Sequence, residues 1–300
     1  MRTASRAHLG RAQELHLPLP ILIAAFCLLW ASAFSVAKLA VGNCPPLFVL
    51  TARFLFAGIV MLGAGALYGL RFNLTRRDVV VFSLLGIANQ AAYLGLSYVG
   101  IRSISSGLAA MVISANPVLT AVLATLFLGD RMSWRKAAGL ALGVSGVAFV
   151  VEGRLAGGLE DPVGIGFTVA ALISLVGGTI LFKKLAPTGG LWVGNGVQSL
   201  AAGFATLPFA FAFESVGDIV PSWRLMAALI YLSLFVSIFA YLLWFHLLNV
   251  AGATAASSYH FLMPPLGVLF GWLLLGEHVA RADLLGIVPV AIGIYLVTRP

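Results

Sequence analysis

The chain has 300 residues, of which 61% are hydrophobic and only 9% are charged, and its formal net charge is +8 at pH 7. Its mean hydropathy of +1.03 excludes an ordinary soluble protein, because a soluble domain could not cover so much apolar surface. The basic residues lie at the ends of apolar runs, so the positive charge indicates membrane topology and not nucleic-acid binding.

Ten apolar runs, separated by charged or Gly/Pro-rich breaks, predict ten transmembrane helices and therefore an all-α membrane protein. Crossing the hydrocarbon core takes about 20 residues. In chain order the predicted helices are 19–41, 46–69, 78–100, 104–128, 134–151, 163–185, 191–213, 225–248, 253–275 and 282–298. Residues 1–18 are predicted to form an N-terminal arm. The break at 42–46 is short, so merging two helices or splitting one is an alternative that would reverse the side of one terminus.

The distribution of Lys and Arg predicts that both termini, and the arm, are cytoplasmic. With ten helices and the N-terminus inside, twelve of the 18 basic residues lie on the cytoplasmic side. Five, Arg154 among them, lie on the opposite side, and only Arg53 lies inside a predicted helix and away from its ends. This bias agrees with the preference of Lys and Arg for cytoplasmic loops.

An internal repeat divides the chain into two halves. The segment 126–130, Leu-Phe-Leu-Gly-Asp, recurs as Leu-Leu-Leu-Gly-Glu at 273–277, and two glycines follow each copy at the same spacing. Residues 19–151 and 163–298 are therefore predicted to be two five-helix repeats. Because five is odd, the second repeat should cross the membrane in the opposite sense, and inverted repeats are a common basis for alternating access.

Pro117 and Pro264 precede the repeated segment by the same distance, within helices four and nine. Proline removes a backbone hydrogen bond and clashes with the preceding turn, so both helices should be kinked there. We predict that both prolines act as hinges when the helices rock. A static kink that serves only packing is the alternative.

Uncharged polar and aromatic side chains near the middle of the predicted helices are candidates for lining a substrate cavity. They are Trp30, Ser32, Ser35, Asn89, Gln90, Tyr93, Asn116, Tyr241, Trp244, His246, Tyr259 and His260. Their chemistry suits a neutral or zwitterionic organic solute held by hydrogen bonds and ring faces. Each could instead form a helix–helix hydrogen bond or belong to an interfacial aromatic belt, and the two histidines could serve packing or a proton relay.

Charged residues inside a bilayer usually mark a pathway or a partner. All ten carboxylates lie in the arm, in loops or at predicted helix ends, which argues against a proton-driven pump for cationic drugs. Arg53 lies early in the second helix, where it could reach the membrane interface, hold neighbouring helices or attract a substrate carboxylate. No cluster of His with carboxylates falls on one helix face, so no metal site and no cofactor are expected.

Four sequence marks resemble the ten-helix, EamA-type branch of the drug/metabolite transporter superfamily. They are Trp30–Phe34, Arg53–Ala57, Pro117 with 128–130, and Pro264 with 275–277. Within that family the chain resembles the YddG-type exporters of aromatic and other amino acids, which implies an inner-membrane exporter with a central cavity between two inverted halves. The family pattern often carries a glutamate just before each proline, whereas Asn116 and Met263 stand here. That departure argues against charge-coupled transport.

These features predict a secondary transporter, not an enzyme, that exports aromatic and other neutral amino acids and related small metabolites across the bacterial inner membrane by alternating access. The expected partners are the small-molecule substrate and membrane lipid, without nucleic acid, and a monomer is expected, with a dimer as the alternative. A carrier of sugar phosphates or nucleotide sugars should have several basic residues near mid-membrane, where only Arg53 lies. Further alternatives are a carrier of quaternary-cation drugs, a passive channel and a membrane-embedded enzyme, although the chain has no GxSxG, HExxH or P-loop motif.

Overall fold

The computed structural model describes residues 18–70, 72–158, 160–185, 187, 190–279 and 281–298. The predicted N-terminal arm, apart from Pro18, lies outside the described residues. Within these ranges all regular structure is helical and no β-strand occurs, which confirms the all-α prediction.

The described residues form ten helices that can be numbered in chain order. They are α1 Leu19–Val41, α2 Pro46–Leu67, α3 Arg76–Ile101, α4 Ser106–Leu128, α5 Trp134–Ala156, α6 Pro162–Leu185, α7 Leu191–Phe213, α8 Trp223–Ala251, α9 Ala253–Leu275 and α10 Arg281–Thr298. In the described part of the chain, nine of them are long and apolar enough to cross a membrane. The tenth, α10, has 18 residues, and its apolar stretch, Asp283–Gly293, is shorter.

The helix bounds agree with the prediction to within a few residues, except at the end of α5. The prediction ended this helix at residue 151, before Arg154. The helix instead continues to Ala156, and Arg154 is buried in its last turn. The predicted end was therefore too early, because a charged residue ends an apolar run in the sequence whether it is solvated or paired.

The repeated Leu-Gly-acid segments end α4 and α9. Gly129 and Gly276 have φ values of 75° and 65°, in the left-handed region that side chains other than glycine rarely adopt. A left-handed glycine is a common way to end a helix, which explains why this residue recurs in both copies.

The acid after each glycine bonds to the start of the other helix. Glu277, after α9, accepts hydrogen bonds from the backbone N–H groups of Ser106 and Gly107 at the start of α4, at 2.8 and 3.2 Å. Asp130, after α4, accepts one from the Thr254 hydroxyl at the start of α9, at 2.9 Å. The two halves therefore hold each other's helix ends by equivalent contacts.

The glycines that follow each copy bring α5 and α10 into close backbone contact. A Cβ atom on Gly293 would lie 2.5 Å from the carbonyl oxygen of Gly139, and one on Gly286 would lie 2.1 Å from Val150. Both distances are too short for any side chain to fit without displacement. Small residues allow membrane helices to pack at such separations, so the repeated glycines mark this helix pair.

The helix contacts follow a two-fold pattern. α2 packs on α7 and α5 packs on α10, so each pair joins equivalent helices of the two halves. In addition, α1 contacts α9, and the equivalent helices α6 and α4 also contact each other. In the same way α3 contacts α6, and the equivalent helices α8 and α1 are in contact. The central helices therefore interleave instead of forming two separate bundles.

Four helices depart from regular α-geometry, at corresponding places in the two halves. α3 and α8 contain π-helical segments, Ile87–Ala92 and Tyr231–Ala240. α4 is interrupted before Asn116 and Pro117, and α9 contains a 3₁₀ turn, Tyr259–Leu262, just before Pro264. Each proline is the second residue of the second segment of its helix, where the missing N–H removes no regular bond.

Candidate functional site

Six ring-bearing side chains from four helices meet at the centre of the protein. We call them the ring cluster. They are Phe26 and Trp30 of α1, Tyr93 of α3, Tyr241 and Trp244 of α8, and His260 of α9. None is more than 3% exposed. Trp30 contacts each of the other five rings at centroid distances of 5.1 to 6.5 Å, which is the range of interacting rings.

The irregular helix segments position three of the six rings. Tyr93 directly follows the π-helical segment of α3, Tyr241 directly follows that of α8, and His260 lies in the 3₁₀ turn of α9. The Tyr241 hydroxyl donates a hydrogen bond of 2.8 Å to the carbonyl of Asn89, inside the α3 segment. Because π-helical segments change the direction of side chains and often lie at functional sites, the coincidence favours a functional role for the cluster.

A small internal cavity of about 20 Å³ lies beside the ring cluster. Its wall includes Trp30, Tyr93 and Tyr241, together with Arg53 of α2 and Tyr98 of α3. Such a volume accommodates about one water molecule. The site is therefore collapsed in this conformation, and an organic solute would enter only if the surrounding helices moved apart.

Arg53 is directed into the helix bundle and not to the membrane interface. Its side chain is buried, with 1% of the residue exposed. The Nε atom donates a hydrogen bond of 2.7 Å to the hydroxyl of Ser237, and Nη1 donates one of 2.6 Å to the hydroxyl of Tyr98. Arg53 thus connects α2 with α3 and α8 at the edge of the cavity.

Several buried polar side-chain atoms have no hydrogen-bond partner within the described residues. They are Arg53 Nη2, Asn89 Nδ2 and Oδ1, Gln90 Oε1, Asn116 Nδ2, Gln198 Oε1, Ser199 Oγ, Trp244 Nε1 and His260 Nε2. Each such atom costs about 1–3 kcal/mol if it stays unpaired. Trp244 and His260 belong to the ring cluster and Arg53 lines the cavity beside it, so a polar ligand or water there would complete their bonding.

Other predicted cavity residues connect helices in this conformation. Ser32 lies 2.7 Å from the Tyr231 hydroxyl, and Ser35 lies 3.1 Å from the hydroxyl of Ser106. The amide nitrogen of Gln90 donates to Asn195 at 3.1 Å.

The remaining predicted residues lie apart from the rings. The Oδ1 atom of Asn116 accepts a hydrogen bond of 2.7 Å from Thr120. Tyr259 is half-buried and lines a surface cleft. His246 is half-buried and makes no ring contact with the cluster among the described residues.

Four residues of this centre were not predicted from the sequence, namely Phe26, Tyr98, Asn195 and Ser237, and neither was the buried amide of Gln198. Asn195 and Gln198 are fully buried in α7, and their amides in an apolar run were a usable signal. Phe26 lies four residues before Trp30, on the same helix face. Tyr98 and Ser237 carried no such signal, because tyrosine and serine are common in membrane helices.

A cleft of about 570 Å³ lies at the face that is predicted to be cytoplasmic. It is bordered by the ends of α4 and α6 and by the junction of α8 with α9, and it includes Asp130, Lys136, Lys183 and Tyr259. Tyr259 directly precedes His260 of the ring cluster. The cleft therefore approaches the cluster from this side.

The opposite face is held together by charged groups. Arg154 of α5 pairs with Glu160 at 2.7 Å and with Asp283 of α10 at 2.6 Å, and all three side chains are buried. Glu160 also accepts a hydrogen bond of 2.8 Å from the backbone of Ser105, just before α4. Lys38, at the end of α1, donates to the carbonyl of Ile104. These contacts join four helix ends on this side.

An all-helical bundle with a ring-lined centre and interleaved repeated helices is typical of a membrane carrier for small solutes. The sequence profile of the EamA-like transporter family matches residues 18–152 and again residues 162–299. The chain therefore belongs to the EamA-like transporter family.

Relatives match the chain over most of its length. An uncharacterized transporter of Archaeoglobus fulgidus is 28% identical over 93% of this chain and 98% of its own. The uncharacterized inner membrane transporter YedA of Escherichia coli is 28% identical over 93% and 91%. The S-adenosylmethionine/S-adenosylhomocysteine transporter of Chlamydia muridarum is 29% identical over 83% and 81%.

One solved crystal structure, described without a function, aligns with a TM-score of 0.69 at 17% identity, over 93% of this chain and 96% of that one. At that identity the likeness concerns the fold alone. The apolar helices and the relatives described as inner membrane transporters agree that the chain is a multi-pass protein of the bacterial inner membrane.

Proposed function

We propose that this transporter exports aromatic and other neutral amino acids, and related small metabolites, by alternating access. The ring cluster carries the proposal, because ring faces beside buried hydrogen-bonding groups suit a solute with an apolar side chain and a polar end. Among the described residues, no group of three or more His, Cys, Asp or Glu side chains could hold a metal ion, and the proposal involves no cofactor and no catalytic residue.

Clefts lie at both predicted faces of the protein. The cleft at the predicted cytoplasmic face has a volume of about 570 Å³, and two clefts at the opposite face have volumes of about 500 and 410 Å³. A central site between clefts at both faces suits alternating access, and the export direction in this proposal rests on the resemblance to amino-acid exporters.

The Chlamydia relatives favour a second candidate within the same chemistry. They are described as transporters of S-adenosylmethionine and S-adenosylhomocysteine, which are amino acids that carry an aromatic base. A ring-lined site would accept such a base as readily as the side chain of phenylalanine. These solutes are larger than phenylalanine but have the same amino and carboxylate groups at the polar end.

Flux in proteoliposomes tests the proposal. Vesicles that contain the purified protein and are loaded with labelled phenylalanine or threonine should release the label faster than loaded vesicles without protein. The release should saturate and show counterflow, which a passive channel would not give. Labelled S-adenosylmethionine is the second arm. The amino-acid proposal is excluded if none of these solutes moves above the background of protein-free vesicles.

A variant of the central ring gives a matched comparison. Trp30→Leu should raise the KM for phenylalanine about five-fold, because stacking against an aromatic ring stabilises a bound ring by about 1 kcal/mol. Trp272→Leu is the control, since Trp272 of α9 is 56% exposed at the outside of the bundle. Equal kinetics for the two variants would contradict the assignment of the site.

A further inference from the structure

We infer that Arg53 is the receptor for a carboxylate group of the transported solute. This inference rests on the proposed function, and it specifies the substrate class: organic monocarboxylates with an apolar or aromatic body. Arg53 would then determine specificity, beyond joining helices.

The first support is the burial of a charge that aromatic rings and hydroxyls contact but no carboxylate pairs within the described residues. Arginine is positively charged at every physiological pH, and Arg53 is 99% removed from solvent. Within the described residues no carboxylate lies at ion-pair distance from it, whereas Arg154 has two. An unpaired buried charge is costly, and a bound anion removes that cost.

The second support is the unused hydrogen-bonding capacity of the guanidinium group. Nε and Nη1 bond to neutral hydroxyls of Ser237 and Tyr98, and Nη2 has no partner within the described residues. Arginine pairs with carboxylates through two parallel N–H groups. Exchange of one hydroxyl for a carboxylate oxygen, together with the open Nη2, would provide such a pair.

The third support is the position of Arg53 beside the rings. Arg53 lines the same small cavity as Trp30, Tyr93 and Tyr241. A solute with its carboxylate at Arg53 would therefore place its body against ring faces. No second cation lines that cavity among the described residues, which favours a single negative charge over a phosphate dianion.

The π-helical segment of α8 contacts both Arg53 of α2 and Asn195 of α7. Ser237 lies within the π-helical segment Tyr231–Ala240, and its carbonyl also accepts a hydrogen bond of 2.8 Å from Asn195 of α7. Replacement of the Ser237 hydroxyl by a carboxylate at Arg53 would loosen the α2–α8 contact. Binding would thus favour separation of these helices.

A ligand series on the wild-type protein tests the inference without relying on a variant. The probes are phenylalanine, 3-phenylpropionate and phenylalaninamide, measured by competition against labelled phenylalanine or by thermal stabilisation of purified protein. Because a hydrogen bond to a charged group contributes about 1.5–3 kcal/mol, phenylalanine and 3-phenylpropionate should bind about ten-fold or more tightly than the amide. Equal binding of acid and amide overturns the inference.

Variants at Arg53 provide the second readout. Arg53→Gln should remove the preference for acid over amide, and Arg53→Lys should retain part of it, because lysine keeps the charge but not the paired geometry. Arg224→Gln is the matched control, since Arg224 is exposed near the start of α8. A folded Arg53→Gln protein that still prefers the acid overturns the inference.

The same experiment separates failure of the inference from failure of the proposed function. If 3-phenylpropionate binds in an Arg53-dependent manner but no amino acid does, the amino-acid proposal fails and the carboxylate receptor stands. If amino acids bind to Arg53→Gln with unchanged affinity, the carboxylate receptor fails and the amino-acid proposal stands. If chloride stabilises the wild type as strongly as the carboxylates do, the site takes simple anions and the inference fails.

Discussion

Two buried arginines of this protein have contrasting surroundings. Arg154 forms ion pairs with Glu160 and Asp283 across the end of α5 and the start of α10. Arg53 bonds to two neutral hydroxyls and keeps one nitrogen without a partner in the described part of the chain. The first arrangement is complete and stabilises the fold, whereas the second can accept a ligand.

Loss of the paired arginine should destabilise the protein strongly. Arg154→Gln leaves two buried carboxylates without their cation, which typically costs about 3–5 kcal/mol. Thermal or denaturant unfolding of purified protein measures the difference. Arg131→Gln, at an exposed position between α4 and α5, should change stability by less than about 0.5 kcal/mol. Similar unfolding of both variants would mean that the ion pairs contribute little.

Individual site residues were only partly predictable from the sequence. Trp30, Tyr93, Tyr241, Trp244 and His260 were candidates because rings near mid-membrane are conspicuous, and the structure brings these five together. The pairing of Arg154 was not predictable, since its partner in α10 is distant in the sequence and no local pattern links the two.

Among the secondary-structure elements, four helices are irregular near the ring cluster. The π-helical segments of α3 and α8 and the breaks of α4 and α9 surround the ring cluster. Regular helices of the same length would transmit motion along their whole axis. Interrupted helices allow one end to move while the other stays packed.

Replacement of both helix-break prolines should slow transport. In Pro117→Ala/Pro264→Ala the N–H of residue 117 becomes available to continue α4 through its break, and the N–H of residue 264 weakens the break of α9, where Pro265 stays. We therefore expect a flux reduction of about ten-fold with binding largely retained. Pro208→Ala, within α7, is the control. Undiminished flux in the double variant would contradict a hinge role for these prolines.

The positions of the transmembrane helices were largely predictable, because the composition of the sequence alone marks them. A membrane helix needs a long apolar run with polar ends, and nine such runs were found where the sequence indicated them. The π-helical segments were not predictable, because Ile87–Ala92 and Tyr231–Ala240 contain no residue type that is specific for that geometry.

At the scale of the whole molecule, the inverted arrangement of the halves and the cytoplasmic termini stay predictions, and thiol labelling of intact cells tests them. Val220→Cys and Asn73→Cys place exposed thiols on loops at opposite predicted faces. A membrane-impermeant maleimide should label Val220→Cys in intact cells and Asn73→Cys only after lysis.

The native cysteines should give little background in this assay. Cys27 and Cys44 are both buried. Burial raises the pKa of Cys44, between α1 and α2, to about 11, so its reactive thiolate is scarce at neutral pH. If Asn73→Cys is labelled in intact cells and Val220→Cys is not, the topology is the reverse of the predicted one.

The close glycine contact between α5 and α10 has a consequence for how such a molecule changes shape. These helices come from different halves of the chain, yet their backbones touch where Gly139 meets Gly293, and sliding them apart would open a gap that nothing fills. In the proposed alternating-access cycle, the bodies that shift would therefore not coincide with the duplicated stretches of sequence. A shared frame built from both copies would stay in place, and the remaining helices would tilt within it.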